Sequence, residues 1–125
     1  MKNLVAALVL AGAALFGLTA CSAPVAPAAE SAMAAGTVVI DVRTPGEYAA
    51  GHLEDALNID VQSSDFDSQA AALPTDGDYV VYCRSGSRSA AAAARLADLG
   101  FASVTDAGAM SAATVSTGLP VVTTR

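Results

Sequence analysis

Short apolar runs separated by polar turns and one long small-residue stretch set the pattern of the chain from residue 37 onward. Thr37-Val38-Val39-Ile40-Asp41-Val42 is β-branched and reads as a buried strand. Thr44-Pro45-Gly46-Glu47 follows at once. Thr44 suits an N-cap, Pro45 the first helical position and Glu47 the third, so a capping box opens a short helix over 45–50 that stops at Gly51. Ala56-Leu57-Asn58-Ile59 predicts a second short strand. Ser64 to Leu73 is helical in pattern, with Phe66, Ala70 and Leu73 on one face, and Pro74 ends it. Asp76-Gly77-Asp78 is a turn before the strand Tyr79-Val80-Val81-Tyr82. An alanine-rich helix runs from about Ser89 to Leu99 and stops at Gly100. Phe101 to Thr105 is a further strand, Met110 to Ser116 a short helix, and Leu119-Pro120-Val121-Val122 an extended end. Strands alternating with helices predict a small α/β domain whose central sheet is mainly parallel.

The first 36 residues follow other rules. Met1-Lys2 is a short positive start, and Leu4 to Leu18 is apolar and uncharged, ending in Leu18-Thr19-Ala20-Cys21. That order reads as an export signal, and the run is short of the roughly 20 apolar residues a membrane-spanning helix needs. The tetrapeptide resembles the lipobox of bacterial lipoproteins, which implies lipidation at Cys21 after removal of residues 1–20. The Ala/Pro-rich stretch to Gly36 reads as a flexible tether, leaving 37–125 as the domain. The expected product is exported and held in the bacterial cell envelope by an N-terminal lipid.

Charge narrows the partners. Loss of residues 1–20 removes Lys2 and leaves five arginines against twelve acids, a net charge of −7. Such a chain has no electrostatic footprint for nucleic acid. Two of the five cations, Arg84 and Arg88, lie in one loop, which suggests a dedicated anion site. With Cys21 lipidated, Cys83 has no partner for an intramolecular disulfide.

Cys83 opens the run Cys83-Arg84-Ser85-Gly86-Ser87-Arg88 between a strand and a helix. A loop so placed turns backbone N–H groups inward at a helix N-terminus, and both that field and the arginines favour thiolate over thiol. It offers a nucleophile and a cradle for an anion bonded to it. Gly86 allows a backbone conformation or a close approach closed to other residues. Ser85, Ser87 and Ser89 add hydroxyl donors, although Ser89 serves equally well as a helix cap. Which arginine faces the pocket is not legible. His52 is the one histidine, and no second His or Cys pair supports a metal site. Asp41 and Arg43 end a strand where they can brace the loop, while an ion pair of Arg43 with Glu47 or another acid explains Arg43 equally well.

Two segments carry a family resemblance. Asp41-Val42-Arg43-Thr44-Pro45-Gly46-Glu47-Tyr48, closing on Gly51-His52-Leu53, is similar to the rhodanese-domain signature, and Val81 to Ser89 resembles the rhodanese active-site loop. Ala56 to Ile59, Gly100-Phe101 and Asp106-Ala107-Gly108 fit the rest, so the resemblance covers about 37–122. The chain's short length and export signal make it similar to the small exported rhodaneses of the phage-shock type. Departures are Glu54-Asp55 where members often have Pro-Gly, Asp60 where they have Pro, Ala107 in place of the first of two glycines, and no late tryptophan.

The resemblance implies sulfur transfer through a persulfide on Cys83, with no cofactor. Thiosulfate or a similar donor, and cyanide, a thiol or a protein acceptor, are the partners it implies. Arg84, Ser85, Gly86, Ser87, Arg88 and Ser89 form the implied donor site. A persulfide carrier or a redox-sensing thiol would use the same Cys83. Cysteine-dependent phosphatases and arsenate reductases use Cys-x₅-Arg, whereas Cys83 to Arg88 is Cys-x₄-Arg, a ring of amides suited to one sulfur atom better than to a tetrahedral oxyanion.

Overall fold

A computed structural model describes residues 33–124. The lipobox, Cys21 and most of the tether lie outside the described residues. The elements run β1 (Val38–Asp41), α1 (Pro45–Ala50), β2 (His52–Leu53), β3 (Leu57–Asn58), α2 (Phe66–Ala70), β4 (Asp78–Cys83), α3 (Ser87–Asp98), β5 (Ser103–Ala109), α4 (Met110–Thr117) and β6 (Val121–Val122). Four parallel strands form the central sheet in the order β3-β1-β4-β5, and β2 pairs antiparallel with β6 in a separate ribbon.

The α/β expectation holds, and α1 has the predicted bounds and both halves of its capping box. Several features differ from the sequence reading, among them β5, which runs Ser103–Ala109 and not 101–105. The α2 helix is shorter than 64–73 because its ends close as isolated turns, with Phe66 N–H donating to Ser63 O and Leu73 N–H to Ala70 O. The α3 helix begins at Ser87 rather than near Ser89, since Gly86 at φ 106° supplies the turn into it. The two-residue β2–β6 ribbon was not anticipated, being too short to carry a periodicity.

Period-two alternation sorts the strands onto two cores. Ile40, Tyr79, Val81 and Cys83 face one side with Phe66, Ala92, Leu96 and Phe101. Val39 and Tyr82 face the other with Leu53, Ala56 and Ala113. The alanines of α3 matter here, because Ala92 is fully buried and lets the helix lie close on β4. The alternation therefore places the Cys83 side chain on the α3 side at the carboxyl end of a central strand, where open parallel sheets bind ligands.

Along β4 and β5 the register is regular to Val81↔Asp106 and then shifts to Cys83↔Ala109. One extra residue in β5 sits opposite the nucleophile's strand end, and Gly108 there has φ 73°. Asp55, at the place where family members often have glycine, is the one non-glycine residue of positive φ among the described residues, at 61°. A short polar side chain tolerates that conformation.

Candidate active site

Below the loop lies a buried polar network. Asp41 is fully buried and its carboxylate accepts from Arg43 Nε at 3.0 and 3.1 Å, from Arg43 Nη2 at 2.7 Å and from the Tyr82 hydroxyl at 2.7 Å. Arg43 also donates to Gly51 O at 2.6 Å, and the Tyr82 oxygen accepts from Leu53 N–H at 2.9 Å. Arg43 thus pairs with Asp41, two residues away, and not with Glu47. Among the described residues no buried side-chain nitrogen or oxygen lacks a hydrogen-bond partner, as burial demands. Tyr82 is more than strand packing, because its hydroxyl ties β4 to β1 and β2 one residue before the nucleophile.

Cys83 itself is fully buried. Its Sγ accepts the Gly86 N–H at 2.9 Å and lies 3.6 Å from Ser89 Oγ. Burial pushes the thiol up, but the Ser89 hydroxyl with the Ser89, Gly86 and Ser85 amides together hold it below its ordinary value. The amides favour the thiolate because each hydrogen bond is stronger to the anion, and the Ser89 hydroxyl, which accepts from the thiol while donating to Gly86 O, joins them by turning its proton to Sγ. The loop is preorganised by backbone geometry. At the α3 N-terminus Gly86 adopts a left-handed conformation, and the space above its Cα is open to ordinary contact at 3.7 Å from Gly108. The conformation, rather than crowding, is what excludes a side chain there.

The remaining loop residues separate into two groups. Ser89 is buried at the third position of α3, where its hydroxyl donates to Gly86 O at 3.0 Å while facing Sγ. It does not cap the helix, since the N-cap is Gly86. Arg84, Ser85 and Ser87 are exposed at the loop's outer edge. Arg84 makes no ion pair among the described residues. Arg88 instead grips Glu47 through a two-pronged contact, Nη1 to Oε2 at 2.7 Å and Nη2 to Oε1 at 2.8 Å. Sequence reasoning placed Glu47 in the capping box and as a candidate partner of Arg43; nothing in a separation of 41 residues signals its contact with Arg88. His52 is buried, stacks on Tyr48 at 3.7 Å and bonds Tyr48 O through Nδ1 at 2.8 Å.

Residues 25–109 match the rhodanese-like domain model. The chain belongs to the rhodanese-like domain family. It is 36% identical over 85 residues to a sulfurtransferase of Allochromatium vinosum, covering 68% of this chain and 78% of that one. It is 36% identical over 72 residues to the thiosulfate sulfurtransferase PspE of Escherichia coli, covering 57% of this chain and 68% of that one. With the thiosulfate sulfurtransferase GlpE of Pseudomonas entomophila the identity is 42% over 72 residues, covering 57% and 63%. Among solved structures, an E. coli rhodanese with anions superposes with a TM-score of 0.59 at 27% identity, over 70% of this chain and 99% of that one. As a member of this rhodanese family the chain is a sulfurtransferase enzyme. The match ends at Ala109, so α4 and β6 lie beyond it.

Proposed function

We propose that this rhodanese moves a sulfane sulfur from thiosulfate, or a similar anionic donor, to cyanide or a thiol by way of a persulfide on Cys83. The observation that carries the reading is the Gly86 N–H at 2.9 Å from a Cys83 Sγ whose thiol is held below its ordinary value. The thiolate attacks the outer sulfur of the donor. A new S–S bond forms, the donor's own S–S bond breaks, and sulfite leaves with the electron pair. The Cys83–S–S⁻ anion then extends over the loop amides, which stabilise it as preorganised dipoles. Cyanide or a thiolate attacks the outer sulfur and returns Cys83 as thiolate. The two half-reactions predict ping-pong kinetics.

Arg88 is committed to Glu47, so the exposed Arg84 is the loop cation available to the donor's oxygens. Cys-x₄-Arg, with its arginine already paired, supports sulfur transfer over phosphatase chemistry. Export and lipid attachment at Cys21 belong to the same proposal, on the lipobox resemblance alone.

Intact mass after thiosulfate treatment and gel filtration tests the mechanism. The protein is expected to gain one sulfur, roughly 32 Da, to lose it on adding cyanide, and to show no gain as Cys83→Ser. A Cys83→Ser protein that still transfers sulfur overturns it. A wild-type protein that gains nothing from thiosulfate favours the carrier or redox-thiol reading.

A further inference from the structure

One carboxylate joins the α1 capping box to the nucleophile loop. Glu47 Oε2 accepts from Thr44 N at 3.1 Å, Thr44 Oγ1 at 3.0 Å and Arg88 Nη1 at 2.7 Å, while Oε1 takes Arg88 Nη2 at 2.8 Å. Arg88 is the second residue of α3, between Ser87 and the Ser89 that faces Sγ. A cation in a first helical turn is unfavourably placed against the helix dipole. Here Glu47 supplies the compensating charge from another helix. Two parallel N–H···O bonds fix the plane of the guanidinium as well as its distance, and the side chains are only 21% and 28% exposed. The first turn of α3, with the Ser89 that stands beside Sγ, is thereby tied to α1.

We propose that Glu47 is a positioning residue for sulfur transfer, acting through Arg88 to hold the first turn of α3 over Cys83. The inference rests on the sulfur-transfer reading above, and it assigns Arg88 to the brace and not to the donor. Small displacements of a catalytic group lower rates steeply, so Glu47→Gln is expected to lower kcat about ten-fold while the KM for thiosulfate stays within about two-fold. Arg88→Ala should show the same split. The double variant should be no worse than Arg88→Ala alone, because the two residues act as one unit. A second readout needs no donor: the rate of Cys83 alkylation at pH 7 should fall about three-fold or more in Glu47→Gln. Wild-type kcat and alkylation rate in Glu47→Gln, or losses that multiply in the double variant, would overturn the proposal. Where Glu47→Gln loses its fold by circular dichroism, Arg88→Lys keeps the capping box and removes the fork, and it must reproduce both losses. Failure of the wild-type protein to take sulfur from thiosulfate would count against the donor, whereas the alkylation comparison would still decide the brace.

Discussion

Two guanidinium–carboxylate pairs have their acids on either side of the β1–α1 turn and do different work. Arg43–Asp41 is sealed, with side chains 6% and 0% exposed, and it shares its oxygens with Tyr82. Arg88–Glu47 is half-open, and its arginine stands beside the catalytic loop rather than under it. The first pair costs its full desolvation and repays it only because every lone pair is met, so it specifies how β1, β2 and β4 come together. The second costs little and stabilises little, yet it is the one attached to the helix turn beside the nucleophile. Depth therefore separates a contact that decides folding from one that tunes reactivity.

Four measurements would break or sharpen that contrast. Asp41→Asn should have the largest effect, removing about 3–5 kcal/mol in urea unfolding, because it leaves the Arg43 charge buried without its partner. A loss under about 1 kcal/mol would erase the distinction between the pairs. Arg88→Ala should cost only about 0.5–1 kcal/mol by the same assay, despite its expected effect on kcat. Acid titration then gives that pair a signature. The fork from Arg88, aided by the Thr44 contacts, holds the Glu47 carboxyl down to about 2 against an ordinary 4.5. A depressed carboxylate stabilises fully above its unfolded value and loses that contribution as pH falls through its folded one. The stability gap between wild type and Glu47→Gln should be constant above about pH 5 and close as pH falls toward about 2. A gap that persists at the acid end would mean that Glu47 acts through packing. Smallest of all, Asp67→Asn should shift stability by less than about 0.5 kcal/mol, since its pair with Arg95 is 52% and 40% exposed.

Local features were legible in the sequence and distant ones were not. The α1 capping box, the strand before the loop and Cys83 at its end all follow from neighbours within a few residues, where turn and cap chemistry acts. The Arg43–Asp41 pair is local too, but the sequence offered several acids and only the fold shows which one the arginine meets. The Glu47–Arg88 fork joins residues 41 apart, and its existence depends on how α1 and α3 settle around the sheet. The extra residue in β5 is likewise invisible, because Ala107-Gly108 states flexibility without stating register. The α3 start was misplaced by two residues because serine at 89 mimics a cap, while the true turn is made by Gly86.

The pairing of β1 with β4 has a kinetic consequence. Asp41 lies beside Tyr82, and Ile40 beside Val81, so this central ladder forms only by closing loops of about forty residues. Parallel pairing at such separations is slow compared with hairpins and helices. The sulfur centre matures with that step, since β4 carries Cys83 and α1 can reach α3 only once β1 is in place. During folding, therefore, the thiol should behave as an ordinary cysteine, gaining its nucleophilic character only when the sheet is assembled. Activity recovered after refolding would then report completion of the whole topology rather than formation of one loop.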